Sequence, residues 1–239
     1  MDNDQKTLAE EAIELEKQFR ANRCRGENSI TSPLVRVGTA HFVISAPHAV
    51  IHHRNGKKKL NEPYTGALAL QLHERTGASA IIYARTTDED PNWDKTGLYK
   101  TRLKELVQEA SVPSYFVLDL HGLSQSVKRD VIIGTANGKA LMGLDFLLAK
   151  LKVALEGEGL KNIAVYEAFS ATGRNTITSY TYRELKIPAM QLEIGADWRD
   201  PASAPGKYAK LVSALCSAIE AIQTAVTEHF ERTSPDFKP

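Results

Sequence analysis

One short stretch, Tyr115-Phe-Val-Leu-Asp-Leu-His121-Gly122, constrains the fold of this chain more than any other. Most of it is apolar or aromatic, and it lies between Pro113 and Gly122, which makes it too short for a helix. These features predict a strand that is buried on both faces. Polar residues come only at its carboxyl end, where Asp119 and His121 stand two positions apart. Because alternate side chains of a strand share a face, these two side chains can converge.

Two further strands are predicted to end in the same way. The run Phe42-Val-Ile-Ser-Ala-Pro-His48 leads to a histidine, and Ala189-Met-Gln-Leu-Glu193-Ile-Gly195 leads to a carboxylate. In open α/β sheets, ligands bind outside the carboxyl ends of the strands. Two histidines and two or three carboxylates at such ends therefore predict a metal site.

The rest of the chain alternates predicted strands with predicted helices, which indicates an α/β fold, a three-layer sandwich with a central mixed sheet. Residues 34–38 and 41–46 flank a Gly-Thr turn and are predicted to form a β-hairpin, followed by a loop over residues 49–61. Residues 1–239 suit a single catalytic domain, with an N-terminal helix within residues 1–25 and a frayed tail over residues 233–239. The apolar side of that helix is predicted to comprise Leu8, Ala12, Ile13, Leu15 and Phe19.

Charge and composition exclude several classes of function. The formal net charge is +1, so no strong field indicates nucleic acid or a membrane surface as a partner. We find no signal-peptide pattern and no apolar run that approaches the length of a membrane span. Cys24 and Cys216 lack metal-ligand spacing, which favours a reduced, cytoplasmic protein. The sequence does not indicate the oligomeric state.

A catalytic zinc site needs a third protein ligand beside His48 and His121, and it keeps one position open for water. Glu62 is the first acid after His48, although it could instead favour the start of the following helix through the helix dipole. His52 and His53 are rival ligands. We expect one Zn²⁺ per chain, with Asp119 either orienting His121 from behind or acting as a ligand itself.

Glu193 lies within an otherwise apolar strand, where an unpaired carboxylate would be costly. It is predicted to be the general base that takes a proton from water, or else one half of a buried salt bridge with Arg199 or Arg174. Arginine binds carboxylates with two parallel hydrogen bonds, which favours a small anionic substrate. The arginines predicted near the active end are Arg85, Arg174, Arg183 and Arg199, of which Arg174 is the best placed.

Five motifs in order resemble those of the N-formylglutamate amidohydrolases, a family distantly similar to the zinc carboxypeptidases. The resemblance implies a phosphorylase/hydrolase-like α/β fold and one zinc held by His48, Glu62 and His121. It implies Glu193 as the catalytic carboxylate, and Asn92 with an arginine as substrate-binding residues. The motifs are Ser45-Ala-Pro-His48, Glu62-Pro-Tyr-Thr65, Asp90-Pro-Asn92, Asp119-Leu-His-Gly122 and Gln191-Leu-Glu-Ile194 followed by Arg199.

The leading functional hypothesis is a zinc-dependent amidohydrolase that cleaves the amide bond of a small N-acyl, N-formyl-like amino acid. One alternative is a non-catalytic protein of the same fold that binds a metal or a small ligand. Others are a zinc carboxypeptidase-like peptidase and a metal-dependent phosphoesterase, although two-metal sites need more ligands than the sequence supplies.

Overall fold

A mixed sheet of seven strands forms the centre of the computed structural model, which describes residues 3–108, 114–165 and 169–233. The strands lie in the order β1-β5-β2-β6-β9-β7-β8. A separate two-stranded hairpin, β3–β4, lies outside the sheet. In chain order the strands are β1 Leu34–Arg36, β2 Val43–Ala46, β3 His52–Arg54, β4 Lys57–Lys59, β5 Ser79–Ile82, β6 Val117–Gly122, β7 Val131–Gly134, β8 Ile163–Val165 and β9 Ala189–Ile194.

The middle of the sheet is parallel, and this brings the predicted site residues to one edge. Strands β5, β2, β6 and β9 run in the same direction, whereas β1 pairs antiparallel with β5 and β7 antiparallel with β9. His48 follows β2, His121 lies near the end of β6, and Glu193 lies near the end of β9. The carboxyl ends of these neighbouring parallel strands form one crevice, as open α/β sheets do.

Helices flank the sheet, which confirms the predicted three-layer α/β sandwich. Helix α2 packs on β2 and β5 and also contacts α1 and α7, while α4 packs on α7. Helices α3 and α5 contact the strands directly, α3 at β5 and α5 at β6 and β9. The helices are α1 Asn3–Cys24, α2 Thr65–Thr76, α3 Leu98–Gln108, α4 Phe146–Gly157, α5 Ile177–Tyr180, α6 Ala196–Arg199 and α7 Pro205–Thr233.

Helix α7 is long and apolar enough, by length and composition, to pass for a membrane span. Half of its apolar window is buried inside the protein, against α1, α2 and α4. Its buried residues recur at intervals of three and four, as on the core-facing stripe of a packed helix. The helix therefore serves as a core element of this fold; the stripe consists of Leu211, Leu215, Ile219, Ile222 and Val226.

Three local predictions from the sequence were wrong. Strands β1 and β2 do not form a hairpin, because β5 lies between them and pairs with both. Residues 49–61 are not an open loop, since they contain the β3–β4 hairpin. In α1, Ile13 is 37% exposed, whereas Glu16 is 1% exposed and lies on the buried side. Of the tail predicted over residues 233–239, Thr233 is the last residue of α7, and residues 234–239 lie outside the described residues.

Candidate metal centre

The β3–β4 hairpin brings Glu62 next to His48, although thirteen residues separate them in the sequence. The hairpin turns at Asn55 and Gly56, whose φ angles of 51° and 71° suit a tight turn between two strands. At its base, the Glu62 amide N–H donates to the His48 carbonyl oxygen at 2.9 Å. The segment between them is thereby closed on itself, and the two side chains lie side by side.

The Glu62 carboxylate lies between His48 and His121. Its Oε1 is 3.0 Å from His48 Nδ1 and its Oε2 is 3.0 Å from His121 Nδ1. One ligand atom from each of the three residues lies within 4.8 Å of the others. Ligands arranged tetrahedrally at zinc distances lie roughly 3.3 Å apart. Two imidazole nitrogens and one carboxylate at this spacing suit Zn²⁺ and leave a position open.

The far nitrogens of both imidazoles face buried carboxylates. His48 Nε2 is 3.1 Å from Asp90 Oδ1, and His121 Nε2 is 3.2 Å from Asp119 Oδ2. Asp119 is fixed in turn by Ser45, whose hydroxyl donates to Oδ1 at 2.8 Å. A carboxylate behind a histidine holds the proton on the far nitrogen and aims the near nitrogen at a metal. Both Nδ1 atoms are therefore directed at Glu62.

The three residues shift the pKa of one another. Burial opposes the charged form of both histidines, but Glu62 outweighs it together with Asp90 at His48 and with Asp119 at His121. The pKa of His48 is therefore raised, and the pKa of His121 is raised well above 6.5. Burial opposes the ionised form of Glu62, yet both histidines hold its pKa well below 4.5. The cluster therefore favours an anionic carboxylate between two protonated imidazoles, and a metal cation would take the place of those protons.

A second set of side chains, comprising His48, His52 and Asp90, also brings three possible ligand atoms within 4.8 Å. The His48 and His52 rings stack with centroids 4.1 Å apart, and His52 Nε2 is 3.6 Å from Asp90 Oδ2. Arg54 already supplies a cation at this place, because its Nε donates to Asp90 Oδ2 at 2.7 Å. The Glu62 set is therefore the better metal site. His53 belongs to neither set, and its Nδ1 lies 3.4 Å from the Thr87 carbonyl oxygen.

Glu193 lies directly opposite His121 in the register of β6 and β9, so the two side chains share a face of the sheet. Its side chain is 7% exposed and lines the same cleft as the three candidate ligands. Burial raises the pKa of Glu193 to about 7, despite the opposing effect of His121. Gln191 Nε2 donates to its Oε1 at 3.0 Å and fixes its orientation. A carboxylate with a pKa near neutrality suits a general base.

Asn92 reaches the site from the loop between β5 and α3. Its Nδ2 is 2.8 Å from His121 Nε2, and its Oδ1 accepts from the Ile177 amide N–H at 2.8 Å. Asn92 thus contacts a candidate ligand and ties its loop to the start of α5. It lines the cleft, which has a volume of about 590 Å³.

The predicted arginines do not gather in this cleft. Arg199 is buried behind Gly122, where its terminal nitrogens donate to the carbonyl oxygens of Pro63 at 2.9 Å and Leu123 at 3.2 Å. Arg85 donates to the Asn28 carbonyl oxygen at 3.0 Å and does not line the cleft. Arg174 lines a neighbouring cleft, as described below. Substrate binding by these arginines and by Asn92 stays a prediction.

Sequence reasoning missed the contributions of two buried residues to the site. Asp90, which contacts His48 and is 0% exposed, was assigned no role. A signal existed, because Asp90 precedes Pro91 in a polar loop after an apolar strand, where a buried carboxylate needs a partner. Ser45, which contacts Asp119, gave no comparable signal, since a serine within an apolar strand is ordinary.

This chain is similar in structure to several known proteins. No family model and no curated protein matches the sequence. A bacteriophage poly-gamma-glutamate hydrolase aligns with a TM-score of 0.52 and 17% identity, over 86% of this chain and 93% of that one. The gene product Atu2144 from Agrobacterium tumefaciens aligns with a TM-score of 0.57 and 10% identity, over 81% of this chain and 94% of that one. An N-formylglutamate amidohydrolase from Ralstonia eutropha JMP134 aligns with a TM-score of 0.55 and 11% identity, over 82% of this chain and 100% of that one. The resemblance drawn from the five motifs is thereby confirmed at the level of the fold.

Proposed function

We propose that this protein is a zinc-dependent amidohydrolase that cleaves the amide bond of a small N-acyl amino acid. One Zn²⁺ per chain is held by His48, Glu62 and His121. The observation that carries the proposal is the position of the Glu62 carboxylate, 3.0 Å from both Nδ1 atoms, in a cleft that Glu193 also lines. This arrangement combines a three-ligand set with a separate carboxylate that can act as a base.

The residues of the chain divide the chemistry between them. Zinc bound to this set would lower the pKa of a water molecule and polarise the amide carbonyl. Glu193 accepts a proton from the attacking water and delivers it to the leaving nitrogen. Asp90 accepts from His48 Nε2 and so favours the tautomer that leaves Nδ1 of His48 for a metal, and Asp119 holds the orientation of the His121 ring. Gln191 keeps the carboxylate of Glu193 directed into the cleft.

The names of two proteins of the same fold support amide hydrolysis. One is named an N-formylglutamate amidohydrolase and the other a poly-gamma-glutamate hydrolase. A peptidase of the zinc carboxypeptidase type would use the same metal set and is the alternative within the enzymes. A non-catalytic metal-binding protein is the alternative outside them, but such a protein has no need of the buried Glu193 carboxylate.

The variant Glu193→Gln tests the proposal. It keeps the shape of the side chain and can still accept from Gln191, but it removes the base. We expect the variant to fold, to bind one zinc and to hydrolyse N-acyl amino acids at least roughly a hundredfold more slowly. The matched control is Glu156→Gln on the exposed side of α4, which should hydrolyse at the wild-type rate.

Elemental analysis and steady-state kinetics on both variants separate the alternatives. A wild-type protein that binds zinc but hydrolyses none of a panel of N-acyl amino acids and peptides would support the non-catalytic reading. Release of C-terminal residues from peptides in preference to N-acyl groups would support the peptidase. Loss of zinc in Glu193→Gln would make Glu193 a ligand and refute its role as the base.

A further inference from the structure

A second cleft, with a volume of about 350 Å³, lies beside the metal cleft, and four of its nine lining residues are cationic. We call it the basic cleft and define it by Lys95, Lys100, Lys104 and Arg174, with Glu184 as an acidic residue on its wall. The whole chain carries a formal net charge of only +1, so this concentration of positive charge is local. A cleft lined by charges of one sign raises the local concentration of ligands of the opposite sign.

The basic cleft and the metal cleft are formed by opposite sides of the same two loops. The first loop supplies Trp93 to the metal cleft and Lys95 to the basic cleft. The second loop, residues 173–176, supplies Gly173 and Thr176 to the metal cleft and Arg174 to the basic cleft. A ligand that crosses these loops can therefore contact both clefts.

Three hydrogen bonds hold the two loops together. Asn175 Nδ2 donates to the Trp93 carbonyl oxygen at 2.7 Å. Lys100 is 3% exposed, and its Nζ donates to the carbonyl oxygen of Asn175 at 2.7 Å and to that of Asp94. These bonds fix the two loops that carry the cations relative to each other. Loops that are already ordered lower the entropic cost of binding a ligand.

Three of the cations are available to a ligand. In the parts of the chain that the structure describes, no ion pair neutralises Lys95, Lys104 or Arg174. The metal cleft adds Lys59 on its own wall, beside the candidate ligands. Positive side chains thus occur along both clefts, an arrangement that suits a chain of acidic groups better than one isolated carboxylate.

We propose that the basic cleft is a subsite for acidic groups of an extended substrate whose scissile amide lies at the metal centre. Arg174 binds a carboxylate with its two-pronged guanidinium, and Lys95 and Lys104 act as point charges beside it. The inference rests on the proposed function and narrows its substrate class to amides that carry an acidic oligomeric chain.

Direct binding tests the subsite without requiring turnover. The probe is a tetraglutamate peptide, titrated by calorimetry at low ionic strength into wild-type protein and into the triple variant Lys95→Gln/Lys104→Gln/Arg174→Gln. Loss of three exposed charge contacts should weaken binding about tenfold. The control Lys210→Gln, on the exposed side of α7, should bind like the wild type. Equal affinity in all three proteins, or no binding to the wild type, would overturn the subsite.

Kinetics then link the subsite to the metal centre. The measured quantity is the ratio of kcat/KM for an N-acyl glutamate with three further glutamates to kcat/KM for the N-acyl glutamate alone. The ratio should fall about tenfold in the triple variant and stay constant in Lys210→Gln. An unchanged ratio in an active triple variant refutes the subsite alone. Absence of hydrolysis in the wild type refutes the proposed function, while the titration still decides whether the basic cleft binds anions.

Discussion

Glu16 is a buried acid whose protonation should control the stability of the loop that carries Glu62. It lies on α1 and is 1% exposed, and its Oε1 accepts from the amide N–H of Tyr64, two residues beyond Glu62, at 2.9 Å. Burial raises the pKa of Glu16 to about 7, although the Tyr64 hydrogen bond and Arg20, at 3.9 Å, both favour the ionised form. Its Oε2 is buried with no hydrogen-bond partner among the described residues.

The raised pKa fixes the sign of the effect on stability. In the unfolded chain Glu16 titrates near 4.5, so the folded protein binds this proton more tightly than the unfolded chain does. The contribution to stability is fully present below pH 4.5 and is lost as the pH rises through about 7. One pKa unit corresponds to about 1.4 kcal/mol, so between pH 5 and pH 8.5 the loss is roughly 2–3 kcal/mol.

The variant Glu16→Gln removes this titration while keeping an oxygen that can accept from Tyr64. We expect the free energy of unfolding of the wild type, measured in urea on metal-free protein, to fall relative to the variant between pH 5 and pH 8.5. The difference between the two proteins should change by roughly 2–3 kcal/mol over that range. A difference that stays constant with pH would refute the assignment of a raised pKa to Glu16.

Two further variants test the metal centre and its support. His121→Ala should lose most of the single zinc that we propose for the wild type, measured by elemental analysis after dialysis, and full retention would remove His121 from the ligand set. Gly122→Ala places a Cβ 2.3 Å from the Arg199 guanidinium carbon, so we expect about 1–3 kcal/mol of destabilisation in urea. The control Gly157→Ala meets no atom within 4 Å and should not destabilise the protein, and equal effects of the two changes would contradict the role of Gly122.

Much of the fold could be predicted from local patterns. The apolar runs that became β2, β6 and β9 are bounded by turn residues, and each ends in a polar side chain, so their place in the sheet follows from burial alone. The pairing of β1 could not be predicted in the same way. A hairpin of neighbouring strands is the commonest local solution, but here Thr39 and Ala40 donate to the Gly77 carbonyl oxygen and direct the chain past β5. Pairing between distant segments leaves no local signal.

The convergence of His48 and His121 was also predictable, because strand ends meet at one edge of a parallel sheet. The orientation of His48 was not, since it depends on a carboxylate from another element. Asp90 comes from the loop after β5, and Glu16, which lies beneath the Glu62 loop, comes from the first helix. Glu16 lies on the same stripe as Ala12 and Phe19, and an acid on a buried stripe is the signal that could have identified it.

The interval between His48 and Glu62 shows why spacing along a sequence is a weak guide to a metal site. Thirteen residues intervene, yet the Glu62 amide N–H donates to the His48 carbonyl oxygen, as it would across a single tight turn. Each doubling of loop length adds only about 0.6 kcal/mol to the entropic cost of closure. The β3–β4 hairpin offsets that cost with its own backbone hydrogen bonds, and it adds His52 and Lys59 to the cleft. The hairpin therefore keeps His48 and Glu62 together while its own side chains line the cleft around them.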